Sequence, residues 1–207
     1  MTCRGCGAQL CLKFLQEVTE KQIVFTTEKC VEINQPSITV SDPVVAAQEN
    51  SIVFVDDQTL DTNLTSLMKA NNMMIVCYNL DGTKQKFAKL MGIYGYSATA
   101  SISNHDDLIS KLKKAYQMQG LRFIEIIAPC PEIWLSEPSN TIELARLAVE
   151  SSIWPLFEID NKRFAFTYKP NKLEPIDTFL NLQGRKLQIS QETVDTNWRA
   201  LLSGKLV

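Results

Sequence analysis

Cys3-Arg4-Gly5-Cys6-Gly7 is the sharpest chemical signal in the chain. Two thiolates three positions apart can hold one metal centre when the backbone between them turns tightly, and Gly5 and Gly7 supply the freedom for that turn. A helical pattern starts directly afterwards, so its first amides can donate to sulfur and stabilise negative charge there. A Cys-x-x-Cys pair alone is ambiguous between half a zinc site, half an iron–sulfur site and a redox dithiol. A zinc finger wants a second close pair, which the sequence does not contain. A thioredoxin-like motif wants the pair at the end of a strand, whereas here it opens the sequence. Cys30 follows a short strand pattern, and Cys130 follows a longer one in Ala128-Pro129-Cys130-Pro131, where two prolines make a rigid turn. Cysteines at three separate element edges suit one centre pinned from distant parts of the chain. The competing reading makes Cys30 and Cys130 ordinary small residues in turns, and spacing alone does not decide between the two. Cys11, on a helical face, and Cys77, inside an apolar run, read as core.

Other chemistry is thinner. The single histidine, His105, nearly excludes His-rich metal sites and Ser/His/Asp or Cys/His catalysis, and it reads as a solvated first-turn residue. Asp56, Asp57 and Asp61 follow a buried strand and read as a charged loop before they read as a metal site. Lys111, Lys113 and Lys114 read as a solvated helix face with some attraction for an acidic partner. Trp134, Trp154 and Trp198 read as core or interface anchors.

The elements that must position these residues alternate between strand and helix. Strand patterns fall at 22–27, 51–55, 73–78 and 122–128, with a strand end and turn at 96–101. Helical patterns cover 9–18, 59–70, 104–118 and 140–151; Asn104 with Asp107 approximates a capping box, and Asn140 is an N-cap. A hairpin turning at 160–162 and two short helices near 175–182 and 191–202 close the sequence, while 32–50 reads as mostly loop. The alternation predicts an α/β fold, a mostly parallel sheet with helices on both faces. Residues 1–152 form that domain and 153–207 a C-terminal extension packing on it or on a partner. With 207 residues, 45% of them apolar, and a net charge of −2, the chain can bury one sizeable core. It has no basic stripe for nucleic acid, no membrane-spanning run and no signal-peptide core, so the expected location is the cytoplasm.

Longer phrases resemble a known family. YSATAS, RFIEIIAPCPEIW, TIELARLAVESSIWPLFEI, FTYKP and FLNLQGR occur in the order and spacing of the β subunit, or thiamine-diphosphate domain, of pyruvate:ferredoxin oxidoreductase and related 2-oxoacid:acceptor oxidoreductases. The opening CRGCG and the strand before Cys30 are similar too. The resemblance implies a thiamine-diphosphate-binding-like fold, shortened, with a [4Fe–4S] cluster on Cys3, Cys6, Cys30 and Cys130. It also implies α-type and γ-type partner subunits in a hetero-oligomer, and a ferredoxin or ferredoxin-like subunit as acceptor.

Other positions depart from the family pattern. Its Gly-Asp-Gly triplet, whose aspartate binds Mg²⁺ and whose glycines let backbone approach the diphosphate, corresponds to Val55-Asp56-Asp57. Asp56 keeps the Mg²⁺ position, but both glycines are gone and Asp57 adds an opposing charge. At the second Mg²⁺-binding loop an alkyl group, Leu80, falls where the family places an oxygen, with Asn79 and Asp81 as substitutes if the register shifts by one. The cofactor-covering segment before 96–101 is reduced to about a dozen residues, a length read against the resemblance. The expected function is therefore an iron–sulfur electron-transfer subunit of a 2-oxoacid:ferredoxin oxidoreductase-like complex, with thiamine diphosphate binding impaired or lost. One alternative is a catalytic β subunit that still binds thiamine diphosphate and Mg²⁺ and decarboxylates a 2-oxoacid such as pyruvate. A further alternative is a zinc-stabilised interaction domain.

Overall fold

The computed structural model describes residues 4–19, 23–25, 37–39, 51–68, 72–83 and 85–204. Cys3, Cys30 and most of the stretch between Cys30 and the second long strand pattern lie outside the described residues. Among those described, the strands are β1 Ile23–Phe25, β2 Ser37–Thr39, β3 Ile52–Asp56, β4 Met74–Asn79, β5 Tyr96–Ser101, β6 Arg122–Ile127, β7 Leu156–Asp160 and β8 Arg163–Tyr168. The helices are α1 Gly7–Val18, α2 Asp57–Leu67, α3 Lys86–Met91, α4 His105–Gln117, α5 Pro131–Trp134, α6 Thr141–Glu150, α7 Ile176–Asn181 and α8 Gln191–Leu202.

One sheet runs in the order β2-β1-β3-β4-β6-β5-β7-β8. The first six strands pair in parallel, while β7 pairs antiparallel with β5 and β8 antiparallel with β7. Successive side chains alternate between faces, which explains the continuous apolar runs. Ile52, Phe54, Met74, Val76, Tyr78, Ile124 and Ile126 join α1, α4 and α6 in one core layer. Val53, Val55, Ile75, Cys77 and Phe123 meet residues of α2 and α3 in the other. Cys11 and Cys77 are fully buried, as expected of core cysteines, and their thiols are pushed well up by burial.

Five sequence readings change. Residues 96–101 are a complete interior strand flanked by β6 and β7, and 37–39 add a short strand to a stretch read as mostly loop. Asn104 makes no side-chain capping bond; its amide oxygen accepts from the Ser103 hydroxyl instead. Asn140 likewise precedes α6 without a capping bond. Lys111 is not on a solvated face. It is 3% exposed, and its ammonium donates to Thr99 O at 2.7 Å, Asp107 Oδ2 at 2.5 Å and Thr167 Oγ1 at 2.6 Å. It thereby ties α4 to β5 and β8. Lys114, partly exposed, pairs with Glu158 and Asp160 of β7. His105 is 53% exposed in its side chain, in keeping with the solvated reading. Trp134 and Trp154 are fully buried.

Truncating one partner of a buried charged pair leaves the other uncompensated. Lys111→Met is therefore expected to destabilise the fold by about 3 kcal/mol, seen as a lower urea midpoint at unchanged slope. A shift no larger than that of Lys113→Met would refute the anchoring role.

Candidate functional site

The first of two neighbouring arrangements at the carboxyl ends of the parallel strands is the thiol pair. Cys6 is the N-cap of α1, and Cys130, the N-cap of the single turn α5, follows β6. The chain around Cys6 is pressed onto the turn around Cys130. The Gly7 amide donates to Pro129 O at 3.2 Å, and Thr141 Oγ1 donates to Gly5 O at 2.6 Å. A Cβ on Gly7 would stand 2.6 Å from Pro129 O and 2.7 Å from Ala128 C, so only glycine permits this approach. Gly5 takes φ +69°, the left-handed turn expected between the two cysteines. Both thiols are buried, Cys6 at 5% and Cys130 at 3% exposure. Burial pushes the Cys6 thiol up, the amides of Gln9 and Ala8 at the open end of α1 pull it down, and charge on Cys130 raises it again. Of the four predicted cluster ligands, the structure brings Cys6 and Cys130 together, and Cys3 and Cys30 lie outside the described residues. Among the described residues no group of three or more His, Cys, Asp or Glu is placed to hold a metal ion.

The second arrangement is an acidic cleft of about 330 Å³ beyond β3 and β4, lined by Asp57, Asp61, Asn79, Asp81 and Phe87, among others. Asp56 is not in a loop; it caps α2, its Oδ1 accepting from the Thr59 amide at 2.8 Å and its Oδ2 from the Thr59 hydroxyl at 2.7 Å. Asp57 Oδ1 accepts from the Leu80 amide at 2.9 Å; burial pushes its carboxyl up and the Leu80 amide partly offsets that. Asn79 Oδ1 accepts from the Gly82 amide at 2.7 Å, while its Nδ2 donates to Glu125 Oε1 at 2.8 Å. Asp81 accepts from the Thr83 hydroxyl at 2.9 Å.

Trp134, one turn beyond Cys130, connects the two arrangements. Its indole N–H donates to Leu80 O at 2.6 Å, and its ring leaves no room for a Cβ on Gly82. Arg185 lies over the same ring, 4.4 Å from its centroid, and donates to Asp81 O at 2.7 Å. Arg185 Nη2 is buried with no hydrogen-bond partner.

Sequence reading overlooked Glu125, the one acid inside the apolar RFIEII run. It is fully buried, accepting from Asn79 and, at 2.9 Å, from the Ala88 amide. Burial pushes its carboxyl up to about 7, against the pull of those donors. A charge inside a strand buried on both faces was the available signal.

No family model matches the chain. Among curated proteins it is similar to pyruvate synthase subunit PorB of Methanocaldococcus jannaschii, 40% identical over 117 residues that make up 56% of this chain and 39% of that protein. Ketoisovalerate oxidoreductase subunit VorB of Pyrococcus furiosus is 44% identical over 103 residues, 49% of this chain and 33% of its own length. Pyruvate synthase subunit PorB of Thermotoga maritima is 34% identical over 120 residues, 52% and 37% of the two chains. The chain thus matches well under two thirds of the length of these relatives. A solved 2-oxoglutarate:ferredoxin oxidoreductase from Magnetococcus marinus superposes with a TM-score of 0.50, covering 100% of this chain and 88% of that one at 14% identity, which speaks to the fold alone. The resemblance to β-type subunits of 2-oxoacid oxidoreductases holds in sequence, and the fold agrees with it.

Gly7→Ala is expected to lift the N-terminal segment off the 128–130 turn at a cost of about 1–3 kcal/mol, measured by urea unfolding; an unchanged midpoint would mean the close approach constrains nothing. Glu125 has a folded-state pKa above its unfolded value, so its contribution is full at low pH and is lost as pH rises toward about 7. Relative to wild type, Glu125→Gln should therefore gain stability as pH rises from about 4.5 to about 7, by up to about 3 kcal/mol. A pH-independent difference between the two proteins would contradict this.

Proposed function

We propose that this chain is a β-type subunit of a 2-oxoacid:ferredoxin oxidoreductase-like complex that keeps a [4Fe–4S] cluster on Cys3, Cys6, Cys30 and Cys130. In this reading it acts as an electron relay with impaired or lost thiamine diphosphate binding. The observation that carries the cluster reading is the seating of the Cys6 segment on the Cys130 turn through Gly7. Two buried thiols lie on adjoining segments, Cys6 at the open end of a twelve-residue helix, whose amides favour the negative charge of thiolates and cluster sulfurs. That donor set fits an iron–sulfur centre, and a bound cluster would supply one-electron transfer. Its partners would be α-type and γ-type subunits, with a ferredoxin or ferredoxin-like acceptor.

The donors at the acidic cleft do not fit an Mg²⁺-bridged diphosphate. Both Asp56 oxygens are engaged by Thr59, both polar atoms of the Asn79 amide are taken, and Leu80 presents an alkyl side chain. A diphosphate would also face Asp57, Asp61 and Asp81 together. One observation favours the alternative of a catalytic subunit that still binds thiamine diphosphate and Mg²⁺. Arg185 Nη2, buried without an acceptor beside the 79–82 loop, suits an anion.

The test is cofactor content of the native assembly purified without oxygen. We expect about four iron and four sulfide per chain, with broad absorbance near 400 nm, and no thiamine diphosphate. Cys6→Ala and Cys130→Ala should lose the iron, while Cys77→Ala should keep it. Zinc without iron would replace the electron-transfer reading by the interaction domain, and one thiamine diphosphate per chain would replace the relay by the catalytic subunit.

A further inference from the structure

Gly5, between Cys3 and Cys6 in sequence, takes the left-handed conformation at φ +69°. Glycine permits that conformation but does not hold it, because without a Cβ it populates both signs of φ with similar ease. The turn is held from outside. A Cβ on Gly5 would stand 2.3 Å from Pro138 O, so the chain there lies directly against the 138–140 turn. Thr141 Oγ1 donates to Gly5 O at 2.6 Å and, at the longer distance of 3.1 Å, to Pro138 O. One hydroxyl thus ties the cysteine turn to the wall it rests on.

Thr141 is built to hold a fixed position. It is the first residue of α6 and is 2% exposed. Leu144, Ala145 and Ala148 of the same helix are fully buried, which seats α6 firmly in the core. The side chain is β-branched and stiff at χ1, so it gives up little freedom in making the bond. In a planar trans peptide the carbonyl and the following N–H point in opposite directions. Holding Gly5 O therefore also fixes the plane of the Gly5–Cys6 peptide. On the far side of Cys6, the Gly7 amide is held on Pro129 O at 3.2 Å. Cys6 is clamped before and after. A purely local role for the Thr141 hydroxyl would be met by Pro138 O, three residues back in its own segment. The shorter bond goes instead to the cysteine turn, 136 residues away in sequence.

We infer that Thr141 is a positioning residue for the cluster proposed above: its hydroxyl sets the Gly5–Cys6 peptide and so the direction in which Cys6 presents sulfur. This rests on the cluster reading under Proposed function.

The experiment compares three variants in the native assembly purified without oxygen. Thr141→Val removes the hydroxyl at nearly constant volume, and Thr141→Ser keeps it. Ser151→Ala removes another buried hydroxyl bond, to Leu147 O, at the opposite end of α6. Thr141→Val should release iron to a chelator about fivefold faster than wild type or more, while the other two stay within about twofold. It should also broaden the EPR signal of the dithionite-reduced cluster, and Thr141→Ser should restore the wild-type signal. In the iron-free chain, amide hydrogen exchange over residues 4–8 should quicken in Thr141→Val alone. Wild-type iron release and signal in Thr141→Val would overturn the inference, even with faster exchange in the iron-free chain, and would leave the cluster reading intact. Equal effects of Thr141→Ser or of Ser151→Ala would overturn it too, by assigning the change to the methyl group or to general loosening of α6. Wild-type protein without iron would remove the cluster reading itself, and this inference with it.

Discussion

The Gly7 amide on the Pro129 carbonyl is the contact to which the open edge of the sheet is referred. It makes two segments far apart in sequence approach at a distance that a single methyl group would forbid. The turn it grips continues into Pro131–Trp134, so Trp134 is placed by the same contact that places Cys130. The Trp134 indole then holds Leu80 O, and its ring supports Arg185, which holds Asp81 O. Shifting the 128–130 turn would thus move both cysteines and the 79–82 loop. The thiol pair and the 79–82 loop are mechanically one unit.

Behind that edge, the interior polar groups form a second chain of dependence. Glu125 holds Asn79, and Asn79 holds the Gly82 amide. The other Glu125 oxygen receives Ala88 N from α3, whose last turn carries Lys89. One buried carboxylate is therefore shared between the loop beyond β4 and the helix α3. Satisfied networks of this kind in a low-dielectric interior specify one arrangement of the elements around them, because every alternative leaves a buried group unpaired.

The parallel core was legible because β3, β4 and β6 are buried on both faces and read as unbroken apolar runs. β5 was underread for the opposite reason. Ser97, Thr99 and Ser101 alternate through it, fully buried yet polar, and satisfy helix and turn groups rather than packing as hydrocarbon. Periodicity could not separate Lys111 from Lys114, since both point toward the hairpin strands and only the position of β8 decides which is enclosed. Asn104 and Asp107 matched a capping box, but Ser103 and, one turn on in α4, Lys111 outcompeted the cap. The thiol pair was legible in part, through its glycines and prolines; the role of Trp134 in joining it to the 79–82 loop had no sequence signature.

The acidic cleft is held by internal partners of the same kind. A helix N-terminus and a loop amide are donors that an anion can satisfy. Here the chain satisfies them with its own carboxylates. Asp56 takes the Thr59 amide at the start of α2, and Asp57 takes the Leu80 amide across the cleft. Glycine at position 57 would leave that loop amide without a carboxylate partner and the cleft one charge less negative. The aspartate supplies an internal acceptor, and the same charge opposes an anion there. The Thr59 and Leu80 amides are thus bound by the chain's own carboxylates, and the proposed impairment of thiamine diphosphate binding rests on that occupation.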